Sequence, residues 1–475
     1  MAEKYDRTNP KSIERYGKKL EGKHFRDFVA PAASYDPKER TSANVFAEST
    51  SYYAKSNKGG PGMWVEQYWF GYKPNSFKGA DFNEAGVELK VTPFKKTRNG
   101  YSAKERLVIT LINYMEDADT PFEQSHLISK LSLILLVYYL WEPDISALDY
   151  EIRYVQLLQI PEEDMPTIRH DYEVILEKIN TGRAHELSEA DTFYLAACTK
   201  GKDASSMRIQ PYSALKAKQR AFCLKTSYMT HLLNKWIIPG KMTYEPILKD
   251  KTDVPFEEYV VDAISKYKGW TIDELCEHFS MNSRSKSRTA NIAFRILGLK
   301  GNCAEEFIKA GIRLKTIRIS KNGTIKESMS FPRFSFEKVA AETWEEDDFA
   351  ESLRTTKYFF VVYRFGPDDK TLYLNGCQFW NMPIADIDSH VYEVWKKTKQ
   401  VLNDGTCMIE NGESRIYNFP KMSDDPVCHV RPHAKNAADT DILPDGRQCP
   451  KQCFWLNAKY ILAQLNDEVR SVPTA

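Results

Sequence analysis

Asp81, Glu88 and Lys90, within the stretch GADFNEAGVELKVTPFKK, are the residues of this chain whose types and spacing could do chemistry together. Asp81 precedes Glu88 by seven residues and Lys90 follows it by two. Residues two apart on a strand share a face, so Glu88 and Lys90 are expected to project together while Asp81 returns beside them from ahead of the strand. Two carboxylates offer a hard, oxygen-rich seat for Mg2+, an ion that keeps some of its waters and can bridge to a phosphate. A metal held there would polarise a phosphoryl oxygen and help deprotonate a water. The lysine would orient that water or offset charge on the pentacovalent transition state. The set therefore points to phosphodiester hydrolysis. Taken alone, the same spacing also suits the solvated face of a strand in any lysine-rich protein.

The elements that must position these groups can be read from periodicity. Helical character covers 11–30 and 61–71 (PGMWVEQYWFG), and a strand covers 86–92. A turn at TRNG, 97–100, leads to a strand at 105–114 (ERLVITLINY), and the two strands are expected to form a hairpin. An apolar strand follows at 131–140, then helices near 161–180 and 226–237. The stretch GKMTYEPILKDKTDVPFEEY, 240–259, is rich in charge, holds Gly and Pro, and reads as a linker.

A chain of 475 residues favours two domains. With 42% hydrophobic and 28% charged residues it can bury real cores, which excludes wholesale disorder. The polar N-terminus and the shortness of the longest apolar run, LSLILLVYYLW, argue against export and membrane spanning. Nine cysteines without a regular framework suit a reducing compartment, so a cytoplasmic protein is expected. The net charge of +1 says nothing about a nucleic-acid partner, but local charge does. Lys200, Lys202, Arg208, Lys216, Lys218, Arg220 and Lys225 face the single acid Asp203, with Gln210 and Tyr212 interleaved, a mixture suited to phosphate contact and base-edge reading. A second acid-free stretch at 281–300 carries Arg284, Lys286, Arg288, Arg295 and Lys300. Both could equally be solvated loops. Cys428, His429, His433, Cys449 and Cys453 invite zinc, but their C-x3-C spacing is looser than structural zinc sites favour.

The chain repeats itself. AGVELK at 85–90 returns as AGIRLK at 310–315, LLVYY at 135–139 as FVVYR at 360–364, and YEV at 172–174 as YEV at 392–394. Pro211 in RIQPYSA answers to Pro432 in HVRPHAK, and FCLKTSY at 222–228 to FWLNAKY at 454–460. Matches in one order argue for duplication, with domains expected at 1–240 and 241–475.

DFNEAGVELKVTPFKK resembles the metal-binding stretch of the MutH/Sau-three-A family of DNA endonucleases. The resemblance extends over VEQYWFG, SHLISKLSLILLVYY and QPYSALKAKQRAFCLKTSYMT, and is strongest to the longer restriction enzymes of the family. It implies an α/β (α+β) chain of two tandem PD-(D/E)xK domains, restriction-endonuclease-like and MutH-like, each a mixed sheet flanked by helices. It implies Mg2+ on Asp81 and Glu88, catalysis by Lys90, an accessory carboxylate at Glu66 and a further active-site lysine at Lys130. Double-stranded DNA is the implied partner, GATC the implied site, and Arg208, Gln210, Tyr212, Lys216, Lys218, Arg220 and Lys225 the implied contacts. The chain departs from MutH at Cys223, where MutH has a tyrosine near the tested adenine, and the small thiol argues against hemimethylation sensing.

In the second copy Arg313 stands where Glu88 stood and Ala293 where Glu66 stood, leaving Glu306 and Lys315. An arginine contributes no oxygen ligand, so this half is expected to be catalytically silent. Its loop HVRPHAKN keeps a DNA-reading form, and Arg431, His433 and Lys435 are expected to bind a second, effector DNA that activates the first half allosterically. A structural remnant is the alternative. The expected function is a type II site-specific endonuclease with one DNA site at each half, and with a dimer formed on DNA as a further expectation. A repair nickase of the MutH kind and a non-catalytic DNA-binding regulator remain open beside it.

Overall fold

The computed structural model describes residues 4–33, 60–72, 79–98, 100–201, 206–238, 244–249, 254–282, 285, 287–411, 414–436 and 438–471. Lys202, Asp203, Arg284 and Lys286 from the two basic stretches lie outside the described residues. The chain divides into two compact units. One comprises Met1–His185, Thr192–Thr243 and the short segment Ile308–Ala310; the other comprises Glu186–Asp191, Tyr244–Phe307 and Gly311–Ala475.

In the first unit a mixed sheet runs β2-β1-β4-β5, with β1 at Glu88–Thr97, β2 at Gly100–Ala103, β4 at Ile134–Leu140 and β5 at Glu151–Leu158. β1 and β4 are parallel, Glu88 opposite Ile134, and β5 is antiparallel to β4. Every residue of β4, ILLVYYL, is buried, as a central strand covered on both faces must be. A second, antiparallel sheet runs β3-β9-β6, with β3 at Leu107–Leu111, β6 at Leu195–Thr199 and β9 at Arg220–Leu224. The short strands β7, Met207–Arg208, and β8, Ala217–Lys218, form a hairpin ahead of β9.

This corrects the expected hairpin. β1 pairs across its turn with β2, while β3 leaves for the second sheet and pairs with β9. The N-terminal helical stretch is also interrupted. Helices Pro10–Gly17 and Arg26–Ala33 are separated by a segment in which His24 bridges to Glu151 of β5. Leu89 of β1 packs with Tyr5, Ile13, Phe70, Phe82 and Val155 in the core beneath these helices, which leaves Glu88 and Lys90 on the opposite face.

The second unit repeats the plan. β10, Arg313–Ile319, lies parallel to β12, Tyr358–Phe365, which is antiparallel to β13, Leu372–Trp380. β11, Met329–Arg333, pairs with β19, Gln452–Leu456, which pairs with β16, Cys428–Pro432. The orders β10-β12-β13 and β11-β19-β16 thus repeat β1-β4-β5 and β3-β9-β6. Two small hairpins are added, β14 at Met408–Asn411 with β15 at Ser414–Tyr417, and β17 at Thr440–Ile442 with β18 at Gln448–Pro450. Register moves one sequence match by a residue: Arg313 faces Tyr358 as Glu88 faces Ile134, so LLVYY corresponds to FFVVY at 359–363. The expected linker is partly structured, since a helix begins at Phe256. Among the described residues no helix is long and apolar enough to cross a membrane.

Candidate active site

The site is built around the first residue of β1. Ahead of it Phe82 and Val87 exchange backbone hydrogen bonds, Phe82 N–H to Val87 O at 2.9 Å and Val87 N–H to Phe82 O at 3.2 Å. Gly86 closes this turn at φ +64°, a left-handed conformation that a side chain would disfavour. The turn carries Asp81 back along the strand, where its Oδ2 accepts from Leu89 N–H at 2.9 Å. The expected return of Asp81 beside Glu88 is therefore what the backbone does.

Glu88 is 1% exposed. A carboxylate so deeply buried must be paired, and it is paired twice. Lys90 Nζ donates to Oε1 at 2.7 Å, and Lys130 Nζ donates to Oε1 at 3.0 Å and Oε2 at 3.2 Å. Lys130 comes from the helix His126–Leu131 that leads into β4, so the parallel pairing of β1 and β4 is what brings it over. Lys90 is also 3.5 Å from Ile109 O on β3, a carbonyl contact for which the sequence holds no signal.

Glu66 lies in the widened π-helical turn Val65–Phe70, which continues the helix Gly60–Trp64 and is anchored by buried Trp64, Val65 and Phe70. Burial, and then the negative charge of Asp81, hold the Glu66 carboxyl above its ordinary range, with Lys90 opposing. Burial and then Glu88 likewise raise Asp81, against the Leu89 amide, Lys90 and Lys130. Three acids and two lysines thus feel one another's charge. Close carboxylates that resist joint ionisation are chemically suited to a hard divalent cation, which relieves that repulsion. Among the described residues no group of three or more His, Cys, Asp and Glu side chains converges as a complete metal cage would. The donor set that fits a cation is the Asp81 and Glu88 pair, with water as the remaining ligands, as Mg2+ prefers.

The basic segment divides sharply. Arg208, Tyr212 and Lys216 are exposed and Lys218 is half-buried. Gln210, Arg220 and Lys225 are buried, each at most 5% exposed, which corrects their expected place on a DNA-facing surface. Arg220 donates to Ala197 O at 2.7 Å and Lys225 donates to Thr192 O. Gln210 accepts from Ala184 N–H at 2.7 Å and donates to Leu215 O at 2.7 Å, so its amide braces a loop. Cys223 is also fully buried, among Ala196, Cys198 and Ala221, so the thiol expected to open room beside DNA faces small core residues instead.

In the second unit Arg313 opens β10 and is exposed. Lys315 Nζ is 3.5 Å from Ser330 O on β11, the same carbonyl contact that Lys90 makes to β3. Glu306 does not return beside the strand as Asp81 does. It sits in the helix Glu305–Ala310, with its oxygens accepting from Ile247 N–H at 2.8 Å and Leu248 N–H at 3.0 Å. Arg354, four residues ahead of β12 as Lys130 is ahead of β4, is turned to Asp388. Ala293 is buried in the helix Arg288–Ile296. Arg431, His433 and Lys435 are exposed; the Arg431 guanidinium lies over the Trp455 ring at 3.9 Å, and His433 Nδ1 is 3.1 Å from Cys453 Sγ. His429, one of the zinc candidates, is buried and turned to Asn457 Oδ1 at 2.5 Å.

A mixed sheet in which β1 opens on Glu88 and Lys90, with Asp81 returning from just ahead of it, is a restriction-endonuclease-like, MutH-like fold. Residues 70–171 match the family described as DNA mismatch repair enzyme MutH, a span that includes Asp81, Glu88, Lys90 and Lys130. The chain is 38% identical to the type II restriction enzyme Sau3AI of Staphylococcus aureus over 90% of its own length and 97% of that protein. The DNA mismatch repair protein MutH of Shewanella amazonensis is 31% identical over 28% of the chain and 58% of that protein. MutH of Vibrio campbellii is 26% identical over 39% of the chain and 81% of that protein. The chain belongs to the family of the type II restriction enzyme Sau3AI.

Proposed function

We propose that this protein is a metal-dependent, sequence-specific endonuclease of double-stranded DNA, a type II restriction enzyme whose first unit cuts. The observation that carries the reading is Glu88, buried at the start of β1 between Lys90 and Lys130 with Asp81 folded back to the same strand. Asp81 and Glu88 would hold the cation, Mg2+ by their hard oxygen donors, and when bound it would supply Lewis-acid polarisation and a more acidic water. Lys90 presents an ammonium to the face where a phosphate would lie and offsets charge gathered in the transition state, or orients the attacking water. Lys130, donating to both Glu88 oxygens, holds the carboxylate aligned. Glu66 adds a third negative charge beside Asp81, suited to holding a metal-bound water.

The recognised sequence implied by the family resemblance is GATC. Digestion of a plasmid of known sequence with and without Mg2+, followed by mapping of the ends, tests the reading. Discrete ends at one sequence, formed only with the cation, are expected; metal-independent or indiscriminate cutting would overturn it.

A second DNA bound by the second unit is supported by a specific contrast. That unit repeats the strand plan and presents Arg431, His433 and Lys435 to solvent, yet Arg313 replaces the central carboxylate and Glu306 is spent on backbone amides. Binding without cutting is the chemistry this leaves, and an effector site is the role it suits.

A further inference from the structure

Gln210 was the residue of the RIQPYSAL stretch best suited to read a base edge, and its amide is committed inside the fold. The loop between β7 and β8 instead presents to solvent a set of side chains of another kind. Ile209 is 64% exposed, Tyr212 72% and Leu215 59%, three large apolar groups within seven residues. Such a cluster on an exposed hairpin tip marks a contact surface.

The tip is also held rigidly in a costly conformation. Tyr212 has φ +58°, the left-handed region that a bulky residue seldom enters. It is held there from two sides. Gln210 ties Ala184 N–H to Leu215 O through its own side chain, closing the base of the loop. Gly182, itself at φ +72°, lies so near that a Cβ there would stand 2.6 Å from Tyr212 O and 3.0 Å from its carbonyl carbon. Strain kept in place by surrounding structure is characteristic of a working site.

The charge around the tip selects the partner. Arg208 and Lys216, at its two feet, are exposed, and no Asp or Glu occurs between Asp203 and Glu245. An apolar tip with cations at its base suits a polyanion that carries apolar groups within reach, and a DNA groove does. On the major-groove edge of a base pair the apolar feature is the C5-methyl group of thymine. We infer that the loop carrying Ile209, Tyr212 and Leu215 reads thymine in the recognised sequence by apolar contact with its C5-methyl group, with Arg208 and Lys216 on the flanking phosphates and with Gln210 and Gly182 as positioning residues. The inference rests on the endonuclease reading above and specifies how its substrate is read.

Deoxyuridine keeps every hydrogen-bonding group of thymine and lacks only the methyl. With the full-length protein, each thymine of the recognised sequence in a short duplex is replaced in turn by deoxyuridine, and cleavage is followed below saturation. At one or more of these positions the wild-type rate should fall roughly 3 to 5-fold, the value of burying one methyl-sized group. Tyr212→Ser and, separately, Leu215→Ser should cut the thymine duplex more slowly and distinguish it less from the deoxyuridine duplex. Equal wild-type rates on both duplexes at every position, or a recognised sequence without thymine, would overturn the inference while leaving the endonuclease reading intact. Failure to cut any DNA defeats that reading instead. The wild-type comparison needs no variant to fold.

Discussion

Lys90 Nζ lies 2.7 Å from Glu88 Oε1, and the two residues are separated by a single position on one strand. The pleat puts both on one face, and Lys130 closes the carboxylate from the other side at 3.0 Å. Glu88 is therefore both the proposed metal ligand and the centre of a buried ion cluster, and its removal has consequences on each count.

Glu88→Ala should abolish cleavage while DNA affinity stays level or rises, because a negative charge facing a phosphate is gone. Filter binding or fluorescence anisotropy in parallel with plasmid cutting checks both halves. Normal cutting by this variant would end the site assignment.

Lys130→Met leaves Glu88 buried with one cation instead of two, and should cost about 1–3 kcal/mol of stability as well as activity. The double variant Lys130→Met with Glu88→Gln should recover part of that stability, since the uncompensated charge is then absent. A urea-unfolding cycle over the four proteins measures the coupling. Additive effects would mean that the two side chains do not interact in solution.

Proton linkage gives a third expectation. The Asp81 and Glu66 carboxyls have raised folded-state pKa values, so each binds its proton more tightly folded than unfolded. Their contribution to stability is complete below the ordinary carboxylate range and is lost as pH rises through the raised values. Urea midpoints measured in a chelator should therefore decline across that window, less steeply for Glu66→Gln. Excess Mg2+ should flatten the decline, because it binds the ionised pair.

Effector coupling can be read from site number. A plasmid with two recognised sites should be cut faster than one with a single site, and a site-bearing oligonucleotide should raise the single-site rate, by roughly 5 to 150-fold for ordinary allosteric coupling. Arg431→Ala combined with His433→Ala should remove the stimulation and spare basal cutting. Indifference to site number would make the second unit a structural remnant.

The central strand and its acids were legible in the sequence because one short segment carries them. Asp81, the turn at Gly86, and the co-facial Glu88 and Lys90 follow from local spacing and strand pleat. The partner of β1 was not legible. TRNG signals a turn correctly, but the residues after it leave β2 for a separate strand β3, and alternation alone cannot say which sheet a strand joins. The fate of Gln210, Arg220 and Lys225 was hidden for a similar reason. Their side-chain chemistry suits DNA, yet each is used to bind a backbone carbonyl from a distant segment or loop end, and burial of that kind is decided by tertiary packing. The repeated order of strands was legible, and the pairing of Arg313 with Tyr358 moves one of the sequence matches by a residue.

Lys90 and Lys315 each rest against a main-chain carbonyl, Ile109 O and Ser330 O. A berth made of backbone is indifferent to the side chain at that position, so genetic drift on β11 cannot erase it while the strand persists. Carboxylates have no such protection: position 313 is an arginine, and the Glu306 oxygens accept from backbone amides elsewhere. A glutamate placed at 313 would add one carboxylate to the start of β10, while Glu306 stays hydrogen-bonded to Ile247 and Leu248 N–H.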